Sequence, residues 1–62
     1  MSLLNDSQRA IEHLANAYLA INEIRAESDN HDIQLASSVA LVSISEAQKQ
    51  AFEIRAILET EE

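Results

Sequence analysis

The sequence predicts an all-α fold, a two-helix antiparallel hairpin, from three observations. Its 62 residues include no glycine and no proline, which removes the residues that tight turns and β-hairpins depend on. Its ten alanines, with Leu, Glu, Gln and Arg, favour helix. Apolar residues recur at helical spacing in both halves, and the polar cluster Ser28-Asp29-Asn30-His31-Asp32 separates them.

The first helix is expected from about residue 6 to residue 27. Leu4, Ile11, Leu14, Tyr18 and Ile21 recur at steps of three, four and seven. Leu3, Ala10, Ala17 and Ile24 lie one position from that stripe and widen it, while Glu12, His13, Asn16, Glu23 and Glu27 fall elsewhere. Asn5 is the expected N-cap, with Gln8 as its capping-box partner. Asp6 near the start and Arg25 near the end both suit the helix dipole.

The connection is expected at residues 28–31, where the side chains bond their own backbone and favour turns. Asn30 is expected in the left-handed conformation at the helix end, and Asp29 as the cap of the next helix.

The second helix is expected from about 32 to 59. Its main apolar stripe is Ile33, Ala36, Ala40, Ile44, Ala47, Ala51, Ile54 and Leu58, with Ile57 beside it. A second stripe, Leu35, Val39 and Val42, ends where Glu46, Lys49 and Glu53 follow at the same spacing. A helix apolar on most of its circumference is buried on more than one side. Val39 to Ser45 is rich enough in β-branched residues to suggest a strand, but no turn signals bound it. The alternative fold is a single long helix in a coiled coil. Its register runs well through Leu35, Val39 and Val42, then meets Glu46, Lys49 and Glu53. The acidic end, residues 59–62, places negative charge at a helix C-terminus and is expected to fray.

One hairpin has a single mutual interface, so the second stripe needs another partner. Exposing Leu35, Val39 and Val42 forgoes roughly 1.5–3 kcal/mol each. A chain this short buries only about 60% of its unfolded surface and usually needs disulfides, a metal or oligomerisation. With no cysteine, neither a disulfide nor a thiolate zinc site is available. The expectation is therefore a single helical-hairpin domain, residues 1–62, that dimerises into a four-helix bundle. Leu14, Tyr18, Ile21, Leu35, Val39 and Val42 are the expected oligomer interface. Leu19, Leu41, Phe52 and Arg55 form a candidate surface for a further partner. Leu41 and Phe52 are eleven residues apart and so point about 20° apart on one helix.

Catalytic equipment is lacking. His13 and His31 are the only imidazoles, and neither has a second His at helical ligand spacing. Glu23 and Glu27 are four apart, yet on a solvated face they read as charge. The Asp29–Asp32 cluster lacks the spacing and glycine of a calcium loop. A phosphate-binding loop or a dinucleotide fingerprint is excluded without glycine. Tyr18 sits on the core stripe and reads as packing volume. No catalytic, cofactor or metal site is expected, and the chain is not expected to be an enzyme.

Eleven acidic against four basic residues give a net charge of −7. Arg9, Arg25, Lys49 and Arg55 are scattered, which speaks against direct nucleic-acid binding and against an anionic membrane surface. Residues 1–6 lack the pattern of a signal peptide, and the most apolar stretch, 33–44, is shorter than the roughly 20 residues of a membrane span. A cytoplasmic location is expected. In length and layout the chain resembles small plasmid-encoded regulators built as helical hairpins that dimerise into four-helix bundles and bind RNA. It shares no motif with them, so no functional residue carries over. The functional expectation is a non-enzymatic homodimer acting through protein–protein contacts, a regulator, inhibitor or adaptor of bacterial or phage type. The alternative is an acidic nucleic-acid mimic that occupies a basic site on a DNA-binding protein.

Overall fold

The computed structural model describes residues 2–61. Helix α1 spans Leu3–Glu27 and helix α2 spans His31–Glu61. The two pack against each other as a hairpin, and no strand occurs among the described residues. The chain therefore breaks at the polar cluster, and the single long helix does not form. The molecule is a slab with extents of 48 × 17 × 12 Å. At about 1.5 Å per residue, the 31 residues of α2 span roughly 46 Å and set the long dimension.

The ends of α1 correct one expectation. The N-cap is Ser2, not Asn5: the Ser2 hydroxyl accepts from the Asn5 N–H at 3.3 Å, and the Ser2 carbonyl accepts from Asp6 N–H at 3.0 Å. The helix takes in Leu3 and Leu4 because Leu4 packs half-buried towards α2. At the other end the Ser28 N–H closes the last turn on the Ile24 carbonyl at 3.0 Å.

The reversal of the chain uses no left-handed residue, since none of the described residues has positive φ. Ser28 takes extended backbone, φ −86° and ψ 135°. Asn30 has a different job from the one expected. Its Oδ1 accepts from the N–H groups of Asp32 (2.9 Å) and Ile33 (3.2 Å), so Asn30, not Asp29, is the N-cap of α2. The Ser28 hydroxyl accepts from Asn30 N–H, and the Gln34 amide donates to the Ser28 carbonyl at 2.7 Å. The orphan groups at the corner are thus paired by side chains.

Helix α2 begins one residue before the expected start and continues past Glu59 to Glu61. Thr60 caps its own last turn through a hydroxyl bond to the Ile57 carbonyl. Glu62, the last residue of the acidic end, lies outside the described residues.

The seam between the helices follows a strict alternation of three and four. In α1 the positions turned to α2 are Leu4, Ser7, Ile11, Leu14, Tyr18 and Ile21; in α2 they are Ser37, Leu41, Ile44, Gln48, Ala51, Arg55 and Leu58, all buried or half-buried. These are a and d positions of a heptad. Among the described residues only Ile11, Leu41 and Ala51 of the apolar ones are buried, and no large side chain is fully enclosed. Ser7 and Ser37 are buried as well, and Ser7 bonds back to the Leu4 carbonyl at 2.7 Å.

The seam of α2 is not the stripe its hydropathy suggests. Ile44, Ala51 and Leu58 belong to it, but Ile33, Ala40, Ala47 and Ile54 stand one residue away, about 80–100° round the helix. The seam positions that hydropathy passes over are Ser37, Gln48 and Arg55. They face α1 because the three-four alternation carries them there, whatever their polarity.

Candidate functional site

His13 and His31 are exposed, and no three His, Asp or Glu side chains converge among the described residues. No described helix is long and apolar enough to cross a membrane. What distinguishes the surface is apolar area. Among the described residues ten large apolar side chains are exposed, from Ile33 at 41% to Leu3 at 68%, against three buried apolar residues.

Nine of the ten fall in three regions, and the tenth, Ile57 (58% exposed), lies one turn from Ile54. The first is the back of α2. Leu35, Val39 and Val42 are 54%, 67% and 62% exposed, and they lie between about 130° and 180° round the helix from the seam. Glu46, Lys49 and Glu53 prolong the same ridge towards the C-terminus, so the ridge is apolar near the corner and charged beyond it.

The second region is one broad side of the slab. In α1, Leu3, Ala10, Ala17 and Ile24 each precede an a position, which makes them g positions. In α2, Ile33, Ala40, Ala47 and Ile54 do the same. When two helices run antiparallel, the g positions of both fall on one side of the seam and the e positions on the other. All eight are apolar. Alanine fills the middle, and Leu3 with Ile54, and Ile24 with Ile33, lie towards the two ends. We call this the g stripe. None of its eight residues is charged.

The third region is the opposite broad side, which holds the e positions. Here an open groove of about 520 Å³ is lined by Tyr18, Arg25, Ser38, Leu41, Ser45 and Lys49 among others. A shallower one is lined by Ala15, Tyr18, Leu19, Ser45 and Gln48. The pairing of Ala15 with Ser45 in one groove confirms that the e sides of both helices coincide. This side mixes polar and apolar groups: Val42 of the ridge also lines the larger groove, and Leu19 (62% exposed) and Phe52 (47%) stand on it as well.

Several expected interface residues stand elsewhere. Leu14, Tyr18 and Ile21 are half-buried in the hairpin's own seam. Leu41 is not a surface residue: at 6% exposed it is the most buried apolar side chain, so the ridge expected from Leu41 and Phe52 does not exist. The 20° between them is enough to turn one into the seam and leave the other at its edge. Arg55 is engaged within the chain. Its Nη1 donates to Gln8 Oε1 at 2.9 Å, its Nε pairs with Glu59 at 3.3 Å, and its guanidinium lies 5.2 Å from the Phe52 ring centre.

The g stripe is the feature that hydropathy alone obscures. Its α1 half reads as a widening of the core stripe. Its α2 half is merged with seam residues. The signal that separates them is phase: 33, 40, 47 and 54 keep a strict seven-residue period. No known protein family, no curated protein and no solved structure matches the chain.

Proposed function

We propose that this chain is a non-enzymatic protein-interaction module that works as a homodimeric helical bundle in the cytoplasm. In this reading it is a small regulator, inhibitor or adaptor of bacterial or phage type. The observation that carries it is the imbalance of apolar surface among the described residues, ten large side chains exposed against three apolar residues buried.

Magnitudes support the reading. The accessible surface is 4739 Å² for 6.9 kDa, whereas a folded monomer of that mass exposes about 4,000 Å². The excess of roughly 700 Å² is close to the 800 Å² or so that each partner gives to a standard interface. Each exposed large apolar side chain forgoes about 1.5–3 kcal/mol relative to burial. A few of them together match the whole stability of a small domain.

Two apolar regions allow two kinds of contact. One joins copies of the chain, and the other presents apolar anchors to a different protein, rimmed by Glu46, Lys49 and Glu53. Sedimentation equilibrium tests the first step. The expected result is a mass that rises from 6.9 kDa to twice that with concentration, with helicity retained. A helical species that stays at the single-chain mass at all concentrations overturns the reading.

A further inference from the structure

We infer that the g stripe is the surface on which a second copy of this chain docks, and that the ridge of Leu35, Val39 and Val42 stays outside that contact. This rests on the reading of the chain as a self-associating hairpin and assigns the face that does it.

Three observations favour a second copy on this side. The first is the width of the apolar pattern. A helix that meets one neighbour needs only a and d positions, whereas a helix in a bundle carries a third apolar position, e or g. Both helices here carry the third position, at g, through eight residues, and only the last g position of α2, Glu61, departs from the pattern. The hairpin alone leaves most of that third position uncovered, with only Ala17 and Ala40 half-buried, because g stands about 80° from the seam. A second hairpin laid on it converts two paired helices into four.

The second is area. Either broad side of the slab measures 48 by 17 Å, a projected area of about 800 Å² that has room for a standard interface, and the g side is the one whose central row is apolar. The ridge on the back of α2 belongs to one helix and is apolar for only part of its length, so it offers much less.

The third is charge. The chain carries −7, so two copies repel wherever their charged faces meet. The eight residues of the g stripe bring no charge into the contact, and the acidic residues of that side, Asp6, Glu27 and Glu61, stand at the two ends of the slab. Its central alanines allow close approach of the helices, and the larger residues towards each end close over them.

The ridge has the opposite character. Bringing two copies together through Val39 sets Glu46 and Glu53 of one against the same residues of the other, or against Asp32 near the corner. Like charges in that position oppose association.

The test uses the full chain with single substitutions, read by sedimentation equilibrium and circular dichroism. Ala47→Glu is expected to raise the dimer dissociation constant roughly 100-fold or more, because each dimer then holds two unpaired carboxylates in an apolar contact. Val39→Glu is expected to change it by no more than about threefold, as surface substitutions do. If Val39→Glu dissociates the dimer and Ala47→Glu does not, the face is wrongly assigned while self-association stands. If the unsubstituted chain stays at 6.9 kDa with its helicity intact, self-association itself fails.

Should Ala47→Glu unfold, thiol labelling replaces it. The chain has no cysteine, so Ala47→Cys and Val39→Cys each introduce a unique thiol. Labelling of Ala47→Cys is expected to slow as protein concentration rises, while that of Val39→Cys does not. Equal rates at every concentration, or slowing at Val39→Cys alone, overturn the proposal.

Discussion

Gln8 and Arg55, 47 residues apart in sequence, meet across the seam: Nη1 of Arg55 donates to Oε1 of Gln8 at 2.9 Å. Among the described residues this is the only side-chain hydrogen bond that joins α1 to α2. It pins the open end of the hairpin as Asn30 and Ser28 pin the corner. Arg55 is held from three sides, by Gln8, Glu59 and the Phe52 ring. Removing Gln8 therefore isolates the cross-helix bond better than removing Arg55. Gln8→Ala is expected to lower stability by about 0.5–1.5 kcal/mol, read as a shift in urea midpoint at fixed slope. Arg55→Met keeps much of the apolar stem and should cost a similar amount. In the double variant the costs should add to less than their sum, and strict additivity would show the bond to be energetically idle.

The caps can be separated by substitution. Asn30→Ala is expected to destabilise the fold by about 1 kcal/mol, and Asn30→Asp to be nearly neutral, since aspartate also caps well. Ser2→Ala should cost about 0.5–1 kcal/mol by the same principle. Asn5→Ala should be close to neutral, because only the Asn5 backbone takes part in capping. Thermal melts of the four variants rank these effects. A larger loss at Asn5 than at Ser2 would place the N-cap of α1 at Asn5, where the capping-box pattern with Gln8 puts it.

Burial divides Leu41 from its neighbours. Leu41→Ala removes the most buried apolar side chain of the seam and is expected to cost about 2–5 kcal/mol, enough to abolish helicity in a marginal domain. Leu35→Ala, from a side chain 54% exposed, is expected to cost less than about 1 kcal/mol. Circular dichroism at equal concentrations distinguishes them, and a reversal of the order would overturn the seam described above.

Salt should strengthen self-association. Two copies carrying −7 each repel, and raising ionic strength from about 0.01 to 0.15 M shortens the screening length from about 30 to 8 Å. The dimer dissociation constant is therefore expected to fall with added sodium chloride, and the melting temperature to rise with protein concentration. A dissociation constant that rises with salt would point to an interface held by opposite charges.

Much of the fold was legible because the chain breaks where its side chains say it should. Ser28 to Asp32 all compete for backbone hydrogen bonds, and the break between α1 and α2 falls among them. The α1 seam was legible for a related reason: five of its six positions are large and apolar. The α2 seam was not, because Ser37, Gln48 and Arg55 occupy it and Ile33 and Ile54 do not. Hydropathy ranks residues by chemistry, while the seam is chosen by phase, and in α2 the two disagree by one residue. The same one-residue offset hid the g stripe and turned Leu41 inwards. The caps were displaced for a local reason. Ser2, Asn5, Asp29 and Asn30 are all competent N-caps, and only the backbone path decides which hydroxyl or amide reaches the free N–H groups.

The corner has a practical consequence. Because the backbone there needs no positive φ, its shape depends on two side chains, Ser28 and Asn30, and on Gln34 reaching back. Asp29 lies between them, exposed, with no side-chain bond among the described residues. An inserted reporter peptide placed at that point leaves the cap of α2 and the last turn of α1 intact. The insertion separates Ser28 from Asn30 and so gives up the Asn30 N–H bond to the Ser28 hydroxyl and the reach of Gln34 to the Ser28 carbonyl, while the exposed tip itself is the kind of place that accepts added chain. The hairpin can therefore carry a tag at its tip, far from the open end and clear of either broad side.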